Sequence, residues 1–95
     1  MYIVELTYTN PFENIEAQLQ PHRDFLDDQY GRGAFLVSGP KNPRDGGIII
    51  ASGKLSRNKI ERVLKKDPFY QHELADYRVT EFLPNKYDAV LSTKY

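Results

Sequence analysis

A histidine beside a helix start and an aspartate before a proline are the residue types in this chain best suited to moving a proton. Pro21-His22-Arg23-Asp24-Phe25-Leu26 opens one helical stretch, and Asp67-Pro68-Phe69-Tyr70 closes another. An unperturbed imidazole titrates at about pH 6.5, and a carboxylate that accepts one ring N–H fixes the tautomer and raises the basicity of the other nitrogen. His22 and Asp67 are therefore a candidate acid–base pair. Each also has a plainer reading: a histidine near a helix N-terminus as a partly buried polar tip, and an aspartate before proline as a turn residue.

Composition narrows the chemistry. The chain has 95 residues, 13 basic and 13 acidic side chains and no net charge, which is not the electrostatic footprint of a nucleic-acid or anionic-membrane binder. Its longest apolar runs, Ala34-Phe35-Leu36-Val37 and Ile48-Ile49-Ile50-Ala51, are far too short to span a bilayer. Met1 leads directly into strand-like sequence without a basic n-region or apolar h-region, so a cytoplasmic protein is expected. The absence of cysteine excludes disulfides, thiolate nucleophiles and zinc-thiolate sites. His22, His72, Asp67 and Glu73 lack any clustered metal-ligand spacing, and Gly46-Gly47 and Gly31-Arg32-Gly33 lack the strand-to-helix context of a phosphate loop. No metal, flavin, haem or nucleotide cofactor is expected.

The elements that must position the pair are readable in order. Tyr2-Ile3-Val4-Glu5-Leu6-Thr7-Tyr8 alternates Tyr2, Val4, Leu6 and Tyr8 onto one face, as a half-buried strand requires. Ile15, Leu19, His22, Leu26 and Tyr30 fall on one helical stripe running to about Gly31. Pro21 marks a kink or a fresh start within it, and Gly31 and Gly33 are left-handed stops. Phe35–Ser38 and Ile48–Ala51 read as strands joined by a turn-rich connection. Ser56 caps a second helix with an Ile60, Val63, Leu64 stripe, which Pro68 ends. Tyr77 to Leu83 is the last strand, and Ala89-Val90-Leu91 a short segment able to dock.

The order βαββαβ is that of a single α+β domain over residues 1–95: a ferredoxin-like sandwich with a four-stranded antiparallel sheet and two helices on one face. The RNA-recognition motif shares this order. Here, however, the third strand carries aliphatic residues where that motif has stacking aromatics, so no nucleic acid is expected. The second and third strands are apolar at consecutive positions, where a sheet with one wet face would alternate. If Leu36 and Ile50 face the helices, then Phe35, Val37, Ile49 and Ala51 face away, or the reverse. A second copy of the sheet is the simplest cover, giving a homodimer through sheet faces or a higher oligomer built from it.

The opening Tyr2-Ile3-Val4 strand, the His22-Arg23-Asp24-Phe25-Leu26 helix start, the Gly33 to Pro40 strand ending Ser38-Gly39-Pro40, and Asp67-Pro68-Phe69 together resemble the YciI-like (YCII-related) family of the dimeric α+β barrel superfamily. The resemblance implies the same βαββαβ unit dimerising through its sheets and a His-Asp dyad at His22 and Asp67. It also implies kinship with a dehydrochlorinase that acts on a hydroxylated aromatic ring. Many relatives carry an arginine three residues before the histidine, where this chain has Leu19, so an anion-binding role at that position is not carried over. The expected function is acid–base chemistry of a lyase, isomerase or dehydrochlorinase type on a small cyclic or aromatic metabolite. In it His22 takes and returns a proton, Asp67 orients the imidazole, Ser38 hydrogen-bonds a substrate oxygen, and Arg23 or Arg44 holds a carboxylate. The competing expectation is a non-catalytic dimeric module that binds a small molecule or serves as an accessory subunit.

Overall fold

The computed structural model describes residues 1–93. Strand β1 (Tyr2–Tyr8) runs through the middle of the sheet because its even-numbered residues supply a continuous apolar row, with Tyr2, Val4 and Leu6 all buried. It pairs antiparallel with β3 (Gly46–Ala51) on one side and β4 (Ala75–Glu81) on the other, and β2 (Phe35–Pro40) adds to the far edge of β3. The order β2-β3-β1-β4 is the ferredoxin-like arrangement expected from the sequence. Gly46 is required at the start of β3, since a Cβ there would run into the carbonyl of Leu6 on the neighbouring strand.

The helices cover one face. The stretch read as one helix divides at Gln18 into α1 (Phe12–Ala17) and α2 (Leu19–Gly31). Pro21 is the third residue of α2, where its missing N–H forfeits no helical bond, and the His22 N–H makes the first one, to Gln18 at 3.0 Å. The buried stripe of α2 is rotated from the expected one: Phe25 and Gln29 are buried, whereas Tyr30 is exposed. Its C-terminus closes as a Schellman motif on Gly33 (φ +74°), with Gly33 N–H bonded to Tyr30 and Ala34 N–H to Gln29, each at 3.0 Å. Gly31 is not a second left-handed stop; it stays within the helix.

Ser56 caps α3 (Arg57–Leu64) by accepting the Lys59 N–H at 3.1 Å, and Ile60, Val63 and Leu64 are buried against the sheet. Pro68 does not end this helix. α3 stops at Leu64, and Pro68 opens a further short helix, α4 (Pro68–Gln71), with extended Asp67 as its N-cap. Proline's fixed φ suits a first helical position, so the bias that keeps Asp67 out of αR marks a start as readily as a stop. β4 begins at Ala75 rather than Tyr77 and ends at Glu81, leaving Leu83 outside the sheet. Ala89–Leu91 form a 3-10 turn with Val90 exposed.

A bulge in β2 changes the face assignment. Phe35 pairs with Ala51, yet Val37 pairs with Ile50 and Ser38 with Ile49. Phe35, Ser38, Ile49 and Ala51 consequently face the helices while Val37, Ile48 and Ile50 face away, so neither expected alternative for β2 holds along its whole length. The helix-free face is apolar around Ile3, Val37, Ile48 and Ile50 and polar along Asp76, Arg78 and Thr80 of β4. Among the described residues no helix is long and apolar enough to cross a membrane.

Candidate active site

His22 sits just inside the first turn of α2, and Asp67 is held at the first turn of α4, which packs beside it. The Asp67 carboxylate is fully buried and has three donors. Its Oδ1 accepts from His22 Nδ1 at 2.7 Å and from the Phe69 N–H at 3.0 Å, and its Oδ2 accepts from the Tyr77 hydroxyl at 2.6 Å. The capping bond to Phe69 aims the carboxylate, and the same residue then contributes its ring. The Phe69 and His22 rings stack with centroids 4.0 Å apart and planes within 2°. One in-plane bond and one stacked face fix the imidazole in position and orientation.

A carboxylate accepts hydrogen bonds and has none to give, so Nδ1 carries the hydrogen and a neutral imidazole keeps its lone pair on Nε2. Among the described residues Nε2 has no hydrogen-bond partner, and no buried polar side-chain atom is left unpaired, so this nitrogen lies at an accessible surface. His22 also borders a cavity of about 230 Å³, with apolar walls that include Leu19, Leu26, Ile49 and Phe69. Ser38, Arg23 and Arg44 line it too, while Asp67 lies behind the imidazole. The structure thus brings four of the five residues singled out from the sequence to one cavity, with Asp67 bonded to His22 behind it. Ser38 Oγ is 2.7 Å from the Tyr30 hydroxyl, and the Arg44 guanidinium lies 5.0 Å above the Phe12 ring.

Tyr77 is the site residue that sequence reasoning missed. Burial, then the negative charge of Asp67, push its phenol well above the ordinary value of 10.0, so it keeps its proton and donates it to Oδ2. In the sequence it is the first residue of the expected last strand, and nothing in that pattern announces a partner for the hydroxyl. Tyr30, beside Ser38, is likewise placed by the sequence only on the helical stripe of Ile15, Leu19, His22 and Leu26. Among the described residues no group of three or more histidine or carboxylate side chains is arranged to hold a metal ion.

A solved structure with the same fold is 5-chloro-2-hydroxyhydroquinone dehydrochlorinase (TftG) from Burkholderia phenoliruptrix AC1100, in complex with 2,5-dihydroxybenzoquinone. It superposes with a TM-score of 0.70 over 87% of this chain and 94% of that one, at 16% sequence identity. At that identity the likeness establishes the fold, a ferredoxin-like α+β unit. No curated protein matches the sequence. The model of the YCII-related domain matches residues 1–83, and the chain accordingly belongs to the YCII-related family.

Proposed function

We propose that the protein is an acid–base enzyme of the lyase, isomerase or dehydrochlorinase type, acting on a small cyclic or aromatic metabolite. His22 Nε2 takes a proton from a carbon or hydroxyl of the substrate and returns it; Asp67 holds the tautomer and offsets the charge of the imidazolium that forms. Ser38 hydrogen-bonds a substrate oxygen, and Arg23 and Arg44 stand at the same cavity. The observation that carries this reading is the imidazole itself: Nδ1 bonded to a buried carboxylate, ring face stacked on Phe69, and Nε2 left without a partner on a residue that borders a cavity. A histidine kept only to satisfy a helix start has no need of this arrangement. The related fold of a dehydrochlorinase solved with a dihydroxybenzoquinone adds weight to a ring-sized substrate.

We also propose that the helix-free face pairs with a second copy. Ile3 and Val37, 38% and 57% exposed, lie there beside Ile48 and Ile50, and a like face is the cover that leaves no apolar row in water.

Hydrogen exchange tests the chemistry. The protein is incubated in deuterated water with a panel of hydroxylated ring compounds, and deuterium incorporation at ring carbons is followed by NMR. Incorporation with the wild-type protein, and none above background with His22→Asn, is expected. Equal incorporation by His22→Asn overturns the base assignment. Saturable binding of panel members with no exchange in any of them makes the chain a binding module instead.

A further inference from the structure

The cavity at His22 is one-sided in charge. Of the 13 acidic residues in the chain none lines it, whereas two guanidinium groups, Arg23 and Arg44, do. Neither arginine forms an ion pair among the described residues, although partners are at hand. Arg57 pairs with Glu61 four residues on at 3.2 Å, and Arg32 pairs with Asp28 at 3.0 Å. Arg23 has Asp27 at the same spacing and order as the Arg57 pair and makes no bond to it. Arg44 is adjacent to Asp45, but that carboxylate goes to Lys41 at 3.5 Å, and the Arg44 guanidinium lies over Phe12 instead. Two guanidinium groups without ion pairs, an imidazole and a hydroxyl thus meet apolar walls in a space below the roughly 300 Å³ at which drug-sized pockets begin.

We infer that the cavity selects a small planar ring bearing one oxyanion, either a ring carboxylate or an ionised ring hydroxyl. The guanidinium groups hold the charged oxygen, and the ring lies on the apolar wall within reach of Nε2. An apolar wall of this kind gives nothing to free phosphate. The inference rests on the proposed site but concerns what binds there, and it stands or falls separately from catalysis.

The test is binding by NMR titration with four probes: benzoate against benzamide, and 4-nitrophenolate, at a pH that ionises it, against nitrobenzene. In wild-type protein at least one anion should bind about tenfold or more tightly than its neutral counterpart, the size expected when a charge-assisted hydrogen bond is added. Preference confined to benzoate identifies the carboxylate as the recognised group, and preference confined to nitrophenolate identifies the ring oxyanion. The preference should weaken with added salt and fall to near parity in Arg23→Gln/Arg44→Gln, whose exposed side chains can change without unfolding the chain. It should survive in His22→Gln, which separates anion selection from the acid–base role. Equal affinity within both pairs, no saturable binding of any probe, or an undiminished preference in the double variant overturns the inference.

Discussion

Replacing Tyr77 by Phe removes one oxygen atom and keeps the ring, so it isolates the bond to Asp67. In the wild type Oδ2 of a fully buried carboxylate accepts, among the described residues, only the Tyr77 hydroxyl, at 2.6 Å, while Oδ1 is served by His22 and the Phe69 N–H. Losing a hydrogen bond to a charged group costs about 1.5–3 kcal/mol, and more of that range is reached when the remaining partner stays buried and unpaired. A loss of about 2 kcal/mol is expected, or roughly 8–16 °C in Tm for a domain of this size. Asp67→Asn should cost less, because its carbonyl can serve both Oδ1 donors and its amide can donate to a rotated Tyr77 hydroxyl. Asp67→Ala should cost most, since it strips the cap from α4 and leaves the imidazole, the phenol and the Phe69 N–H without an acceptor. The assay is urea unfolding at fixed protein concentration, read by Cm with m held constant, with Tyr77→Phe and Asp67→Asn combined in a double-mutant cycle. A coupling of about 1 kcal/mol or more is expected. A Tyr77→Phe protein within about 0.5 kcal/mol of wild type, or a cycle with no coupling, refutes the claim that the phenol closes the carboxylate's second oxygen.

The raised phenol of Tyr77 also sets a sign at high pH. Its neutral form is favoured in the folded state, so its contribution is complete below the ordinary value of 10.0 and fades as the unfolded chain ionises above it. Wild-type stability should fall more steeply than that of Tyr77→Phe in alkaline denaturation series. Nitrogen-15 NMR should find His22 as the Nδ1–H tautomer, with exposed His72 as the internal comparison; an Nε2–H majority would contradict the bond to Asp67. Val37→Asp should convert a dimer to a folded monomer of 11.0 kDa by light scattering, whereas Ile49→Asp, which places a charge beneath the helices, should unfold the chain by circular dichroism. Gly46→Ala should cost about 1–3 kcal/mol in thermal melts, because the added methyl meets the Leu6 carbonyl.

Local signals carried much of this fold. Alternation in β1, the Ser56 cap and the apolar stripe of α3 are each written within a dozen residues, and each is present as read. The misreadings fall where one residue type serves two structures equally well. The bias that proline imposes on Asp67 suits a helix end and an N-cap alike, and what decides is the bond from Phe69 N–H to the carboxylate. His22 and Asp67 were recognisable as a candidate pair from their residue types, and the family resemblance implied the same dyad. Their contact depends on how α2 and α4 pack, which no periodicity within either segment records. Tyr77 was hidden for the same reason: it lies in β4 opposite Leu6, but the reach of its hydroxyl to Asp67 is a matter of tertiary register. The rotated stripe of α2 followed from reading Ile15 and Tyr30 on one continuous helix across the break at Gln18.

The extra residue in β2 gives that strand two reading frames. Upstream of the bulge, Phe35 is in frame with Ala51; downstream, the frame has slipped by one, bringing Ser38 into register with Ile49 and Val37 with Ile50. Were the first frame continued unbroken, Ser38 would turn outward to Ile48 and Val37 inward to Ile49, exchanging a cavity hydroxyl for an aliphatic group in a single step. A strand of six residues therefore writes to both surfaces of the sheet, and its spelling is constrained by both. Insertions or deletions just beyond the bulge would scramble the cavity and the open face together, so the two surfaces are expected to change in concert when relatives of this chain diverge in length here.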